Sequence, residues 1–234
     1  MHIFYTPELS SDTFILNEEE SRHCSKVLRL GLSDVVHLID GKGGLFEAEI
    51  TAITKKNVQL KVIGKQHNFG KRNHHLHIAI APTKNIDRLE WFLEKATEIG
   101  IDEITPLICD RSERKVIKEE RLDKVITSAV KQSLTAYHPQ LNQAITFSDF
   151  MKQEFVGECL IAHCMDDSSK KFINEVVSKH QSYLILIGPE GDFSAAELNS
   201  ALQNGFKPVT LGTTRLRTET AALAACFEVN FLNR

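Results

Sequence analysis

Tyr183-Leu184-Ile185-Leu186-Ile187-Gly188-Pro189-Glu190-Gly191-Asp192-Phe193-Ser194-Ala195-Ala196-Glu197 sets the architecture of this chain. Five residues from Tyr183 to Ile187 lack any polar alternation, the texture of a strand buried on both faces. Two glycines and a proline follow, and then Ser194 with Glu197 three residues on, the capping box of a helix start. Strand, short loop and capped helix make the repeating unit of a parallel α/β sheet. Working outward, Pro208 to Leu211 reads as another strand, followed by Gly212-Thr213-Thr214-Arg215-Leu216-Arg217 and a helix from about Thr218 to Leu232. That helix is apolar nearly all round, as expected of one buried in a core or an interface. Upstream, Leu76, Ile78 and Ile80 begin a strand. Ile86, Leu89, Leu93 and Ala96 recur at helical spacing, with Gly100 placed to end the helix. Ile104–Ile108 and Cys159–Ala162 return to strand, and Leu122, Val125, Ile126, Ala129 and Val130 mark a helix closed before His138-Pro139. Residues 73–234 therefore read as an α/β domain with a mainly parallel sheet.

Residues 1–72 differ. Phe46, Ala48, Ile50 and Ala52 alternate with polar residues, as do Val58, Leu60 and Val62, the period of half-buried strands. Asp40-Gly41-Lys42-Gly43-Gly44 supplies the turn before the first of them. One helix interrupts, with Asn17 as its cap and Glu20 completing a capping box; it carries Arg22, His23, Lys26 and Arg29. Short alternating strands at this density predict a small β-barrel. A polar stretch, Gln66 to Asn73, links it to the rest.

The chain has 234 residues, 42% hydrophobic and 25% charged, with a net charge of −3, which excludes disordered, collagen-like and disulfide-scaffold classes. No apolar run approaches a membrane span and the start has no signal-peptide pattern. Five scattered cysteines without a C-x-x-C pair suit free thiols in a reducing cytoplasm. The charge divides unevenly, +1 over residues 1–72 and −4 over residues 73–234.

In open α/β sheets ligands bind beyond the carboxyl ends of the strands, so Gly188–Ser194 and Leu211–Arg217 are the loops to inspect. Neither carries G-x-G-x-x-G or G-x-x-x-x-G-K-[ST]. Glu190 and Asp192 would repel a triphosphate, whereas a ligand with a positive centre and an adenosine would be tolerated. On the residues alone, a structural turn stays open beside a small-molecule site.

Ile187-Gly188-Pro189-Glu190-Gly191-Asp192-Phe193-Ser194 followed by Leu211-Gly212 and Leu216-Arg217-Thr218-Glu219-Thr220-Ala221 resembles the uridine-N3 methyltransferases of small-subunit (16S) ribosomal RNA, a family of the SPOUT class. His23 with Val27-Leu28-Arg29, then Lys84, Glu94-Lys95-Ala96-Thr97-Glu98-Ile99-Gly100, Pro106 and Arg111-Ser112 match in order, so the resemblance covers the whole chain. Two positions depart from the family's pattern: Asp192 stands where a second glycine is usual, and Lys131-Gln132-Ser133-Leu134-Thr135 lacks an arginine.

The resemblance implies a PUA-like β-barrel over residues 1–72, which binds RNA. It implies a methyltransferase domain over residues 73–234 whose chain forms a deep trefoil knot and which pairs as a homodimer across the last helix. It implies S-adenosylmethionine as cofactor, lined by Ile187, Gly188, Gly191, Leu211, Gly212, Leu216 and Arg217. It implies 16S rRNA as the target, in the assembled small subunit, in the cytoplasm. Uridine N3 carries a proton and is a poor nucleophile until that proton leaves, so the site needs charge stabilisation and a base. Arg217 suits the first role, and Glu219 or Glu190 the second; Glu219 also suits a first-turn acid favoured by the helix dipole. Arg22, His23, Lys26, Arg29 and Arg111 are the candidate RNA contacts. The other classes to weigh are a non-catalytic RNA-binding protein that kept the fold, or a SPOUT enzyme acting on another base.

Of three further clusters, the first reads as structural, the second stays open between RNA contact and a solvated face, and the third reads as a solvated helix face. His75 and His77 share a strand face with His74 opposite, too few for a metal, and no carboxylate is signalled nearby. Arg111, Arg114, Lys115, Lys118 and Arg121 form a basic run diluted by Glu113, Glu119 and Glu120. Lys95 and Glu98 are spaced to pair on a solvated helix face.

Overall fold

The computed structural model describes residues 2–165 and 167–234. It divides into two compact units, Met1–Lys71 with Val130–His138, and Arg72–Ala129 with Pro139–Arg234.

The first unit holds β1 (Ile3–Tyr5), β2 (Thr13–Ile15), α1 (Glu18–Arg22), β3 (Val35–Ile39), β4 (Leu45–Ile53) and β5 (Val58–Gln66). They form one sheet in the order β1-β3-β4-β5-β2, antiparallel except for the β1–β3 pair. Phe46, Ala48 and Ile50 meet Val58, Leu60 and Val62 in a core with Phe4, Leu16, Val36 and Leu38. Register shifts in the β4–β5 ladder bend the strands over this core. In the turn before β4, Asp40 Oδ1 accepts from the N–H groups of Lys42 and Gly44 at 2.7 and 2.8 Å.

The expected capping box at Asn17 is only half made. Asn17 Oδ1 accepts from Glu20 N at 2.8 Å, but the Glu20 carboxylate turns away to Lys131 Nζ at 2.6 Å. The helix is correspondingly short. After Arg22 it widens into a π turn, closed by Leu28 N donating to His23 O, and Arg29 takes a positive φ of 57°. Lys131, in the segment lacking the family's arginine, thus serves the packing of its own unit.

The second unit is built on β6 (His75–Ile80), α2 (Ile86–Ile99), β7 (Glu103–Ile108), α3 (Glu119–Ser133, whose residues from Val130 onward belong to the first unit), β8 (Gln140–Leu141), β9 (Ile145–Thr146), α4 (Phe147–Phe150), β10 (Glu158–Ala162), β11 (Lys171–Phe172), α5 (Ile173–Val176), β12 (Ser182–Ile187), α6 (Ala195–Gln203), β13 (Lys207–Thr210) and α7 (Thr218–Leu232). The sheet order is β11-β13-β10-β12-β6-β7-β8, with β9 also on β7, and every pairing is parallel. From Tyr183 to Ile187 every side chain of β12 is buried, because both faces of the sheet are covered. Leu184 and Leu186 join Phe147, Phe150, Phe193, Ala201 and Phe206 on one face. On the other, α7 packs on α2, β6 and β12. Gly100 ends α2 at φ 122°, and a side chain there would meet Arg72 and Asn230, so the position requires glycine.

The apolar girdle of α7 splits in two. Ala222, Ala225, Cys226 and Val229 are buried, whereas Phe227 and Phe231 are 47% and 61% exposed and stack at 6.0 Å. The histidine stretch also differs from expectation. His75 and His77 do share a face, but β7 brings Glu103 to 3.8 and 3.7 Å from them, a carboxylate that sequence distance concealed. Burial pushes His77 down to about 4, so its imidazole is neutral. No helix among the described residues is long and apolar enough to cross a membrane.

Candidate active site

Because every strand of the second unit runs the same way, all its carboxyl ends share one edge, and the loops that follow them meet there. The loop after β12, that after β13 and the one after β10 wall a cavity of about 540 Å³. A second cavity of about 280 Å³ adjoins it, sharing Ala162, Cys164, Asp192, Arg215, Leu216 and Ala221.

Cross-links hold these loops in place. Glu197, buried at the start of α6, completes the expected capping box: Ser194 Oγ accepts from Glu197 N at 3.2 Å and Glu197 Oε2 accepts from Ser194 N at 2.8 Å. Its other oxygen accepts from Asp110 N at 2.8 Å, fastening the loop after β7 to the loop after β12. Arg111 Nη1 donates to Gly191 O at 2.9 Å across the same junction. Asp192 accounts for its departure from glycine. It sits at φ 62°, a left-handed conformation that aspartate tolerates, and its Oδ2 accepts from Cys164 N at 2.9 Å. The carboxylate is therefore a tie between loops. Arg215 Nη2 reaches Glu190 O at 3.5 Å and Thr218 Oγ1 donates to Gly188 O at 3.1 Å, joining the last loop to the β12 loop.

All seven residues singled out for a cofactor lie in these walls. Gly191, Leu211, Gly212 and Leu216 line the larger cavity, and Ile187, Gly188, Leu216 and Arg217 the smaller. Gly212, at φ 139°, has open space where a side chain would stand. His163, Cys164, Met165 and Lys170 escaped the sequence reading. Their signal was positional only, since they follow the carboxyl end of β10 without a glycine motif. His163 is buried with neither ring nitrogen hydrogen-bonded, its Nε2 standing 3.7 Å from the Asp167 carboxylate, and burial holds its pKa below the ordinary imidazole value. Apolar walls (Val209, Leu211, Leu216, Ala221) beside an unsatisfied imidazole suit a ligand with an apolar ring and hydrogen-bonding groups.

The catalytic candidates separate by environment. Arg217 is exposed, stands at the N-cap of α7 and lines the smaller cavity. Glu219 is 7% exposed, with Oε1 3.9 Å from Arg88 Nε and Oε2 lacking a hydrogen-bond partner. Glu190 Oε1 accepts from Lys84 N at 3.0 Å, which gives that carboxylate a structural task. Arg22, Lys26 and Arg29 are exposed in the first unit, and His23 packs edge-on against Phe4. The basic run after β7 is largely engaged: Arg111 holds Gly191, Arg114 donates to the carbonyls of Thr83 and Lys84, and Arg121 pairs with Glu90. Lys95 meets Glu98 at 2.9 Å, as its spacing predicts.

Comparison with known proteins agrees with this geometry. An RNA methyltransferase domain profile matches residues 71–230, and an RNA methyltransferase PUA domain profile matches residues 16–63. Ribosomal RNA small subunit methyltransferase E of Rickettsia conorii is 31% identical over 96% of this chain and 89% of its own length. A structure described as a probable rRNA-methyltransferase from Porphyromonas gingivalis superposes with a TM-score of 0.92 at 40% identity, covering 100% of this chain and 98% of that one. A ribosomal RNA small subunit methyltransferase E from Neisseria gonorrhoeae, bound to S-adenosyl methionine, superposes at 0.89 with 27% identity over 100% of this chain and 98% of its own. With its two domain profiles, its parallel sheet and its converging loops, this chain belongs to the RNA methyltransferase family.

Proposed function

We propose that this protein methylates N3 of a uridine in small-subunit (16S) ribosomal RNA, using S-adenosylmethionine. The observation that carries the reading is the cleft at the carboxyl edge of the parallel sheet, walled by three loops that are hydrogen-bonded to one another. S-adenosylmethionine, when bound, supplies a methyl group already activated by its sulfonium. Ile187, Gly188, Gly191, Leu211, Gly212, Leu216 and Arg217 would hold it, with His163 as an additional polar partner.

The chain's own residues address the nucleophile. Arg217 stabilises the uridine anion at its carbonyl oxygens, and Glu219 accepts the N3 proton. Glu219 is preferred over Glu190, which is committed to Lys84. The 1–72 segment grips RNA through Arg22, His23, Lys26 and Arg29, while Arg111 acts mainly through Gly191. The assembled small subunit is the substrate, in the cytoplasm, where five free cysteines persist reduced.

The loop leaving β13 supports a trefoil knot. β13 pairs on the outer side of β10, yet α7 packs on α2, β6 and β12, so residues 211–217 return across the carboxyl edge past the β12 loop. The exposed Phe227–Phe231 pair supports a homodimer across α7.

Mapping N3-methyluridine in ribosomal RNA from cells with and without the protein tests the reading. Loss of one such nucleotide from 16S rRNA is expected, and an unchanged map refutes it. Calorimetry with S-adenosylhomocysteine separates an enzyme from a binding protein that kept the fold, since only the former gives heat.

A further inference from the structure

Beside the cleft lies a smaller recess of about 300 Å³, set between α2 and the start of α7 and lined by Asp87, Arg88, Trp91, Arg217, Glu219 and Thr220. Arg217 is a wall of both this recess and the cleft. Trp91 is 42% exposed, an unusual place for the chain's single tryptophan. Glu219 is more than nine-tenths buried and keeps Oε2 without a partner, although a buried carboxylate oxygen ordinarily has one. Its other oxygen faces Arg88 at 3.9 Å.

The lining therefore combines two cations, Arg88 and Arg217, with the carboxylate of Glu219. In hydrogen-bonding terms that is two donors and one acceptor. The pairing edge of uracil is its complement, with O2 and O4 accepting on either side of the N3–H donor. Cytosine, which lacks the N3–H and carries an amine in place of O4, mismatches at two of the three positions. An exposed indole beside such an edge is the platform on which an unstacked base rests.

We propose that this recess seats the target base, with Trp91 stacking on the ring and Arg88, Glu219 and Arg217 reading the uracil edge. This rests on the methyltransferase reading and adds to it the residues that select uridine. Arg88 and Trp91 contact the base directly in this scheme, and the Glu219 carboxylate gains a further partner when uracil arrives.

Because Trp91 is the only tryptophan, its emission reports the recess directly. A short single-stranded RNA with a central uridine, titrated into the full-length protein with S-adenosylhomocysteine, should quench that emission saturably. The same oligomer with cytidine should bind at least several-fold more weakly. Glu219→Gln should bring the two affinities together. Trp91→Ala should raise KM for small subunits about ten- to a hundredfold with S-adenosylhomocysteine affinity unchanged, and Trp91→Phe should restore most of the loss. Absence of quenching, equal affinity of the native protein for the two oligomers, or a native KM in Trp91→Ala overturns the proposal. So does dissociation of protein copies by Trp91→Ala in sedimentation velocity, which would make the indole an interface residue. If the native protein neither binds S-adenosylhomocysteine nor methylates small subunits, the methyltransferase reading fails instead.

Discussion

The two sheets of this protein are built from similar apolar residues and serve opposite ends. In the first unit, every neighbouring pair of strands except β1 and β3 is antiparallel and polarity alternates along each strand, so loops leave both ends and one face of each strand meets solvent. In the second, every strand is parallel and the central ones are apolar on both faces, so all the carboxyl ends open at a single edge. Direction alone thus gathers the strand-to-helix connections where a ligand can touch several at once. The antiparallel unit has no such edge; what it offers is a surface, here the π turn with Arg22, Lys26 and Arg29 around it. In the proposed function chemistry belongs to one sheet and grip to the other, and the following measurements can break that division.

The largest effect is expected at the parallel edge. Arg217→Ala should lower single-turnover methylation about 10²- to 10³-fold, as for loss of one preorganised donor, while calorimetry shows S-adenosylhomocysteine binding retained and weakened by a much smaller factor. Unchanged methylation would remove Arg217 from the chemistry. Next, Leu186→Ala and Leu60→Ala each empty part of a core and should cost about 2–5 kcal/mol in urea unfolding. Leu186 supports the cleft, so its variant should also lose S-adenosylhomocysteine binding; Leu60 belongs to the other core and its variant should keep it. Loss of binding in Leu60→Ala would show that the units do not divide the work.

A smaller effect concerns acid. His77 is neutral in the folded protein, with a pKa lowered to about 4, whereas the unfolded chain takes up that proton near 6.5. The unfolded state therefore binds more protons as pH falls through this window, and stability should drop from pH 6.5 towards pH 4, by about 2 kcal/mol at pH 5. Urea midpoints at pH 7 and 5 measure it, and His77→Gln should flatten the difference. The smallest effect belongs to the first unit. Arg22→Ala, Lys26→Ala and Arg29→Ala combined should weaken RNA binding and lower its salt slope by up to about 3, leaving turnover at saturating RNA near native. A fall in saturated turnover would carry the chemistry into the first unit.

Local pattern carried far in this chain. The apolar run of β12, the Ser194–Glu197 box and the helical spacing of α2 each depend on residues a few positions apart, and each formed where the pattern placed it. The glycine-bearing loops after β12 and β13 were legible for the same reason, and they line the cleft. Short elements such as β8, β9, β11, α4 and α5 were not, since two to four residues hold too little periodicity to be read. Nor was the other end of a long-range contact. Glu20 turned to Lys131 instead of closing its own helix cap, Glu103 came to His75 and His77 from the next strand, and Asp192 became a tie to Cys164. His163, Trp91 and the unsatisfied oxygen of Glu219 likewise gained meaning only from what stands opposite them. Sequence alone determined the elements and the two loops, because periodicity and capping are local. Tertiary structure decided which side chains face each other, because a partner dozens of residues away leaves no mark on the local pattern.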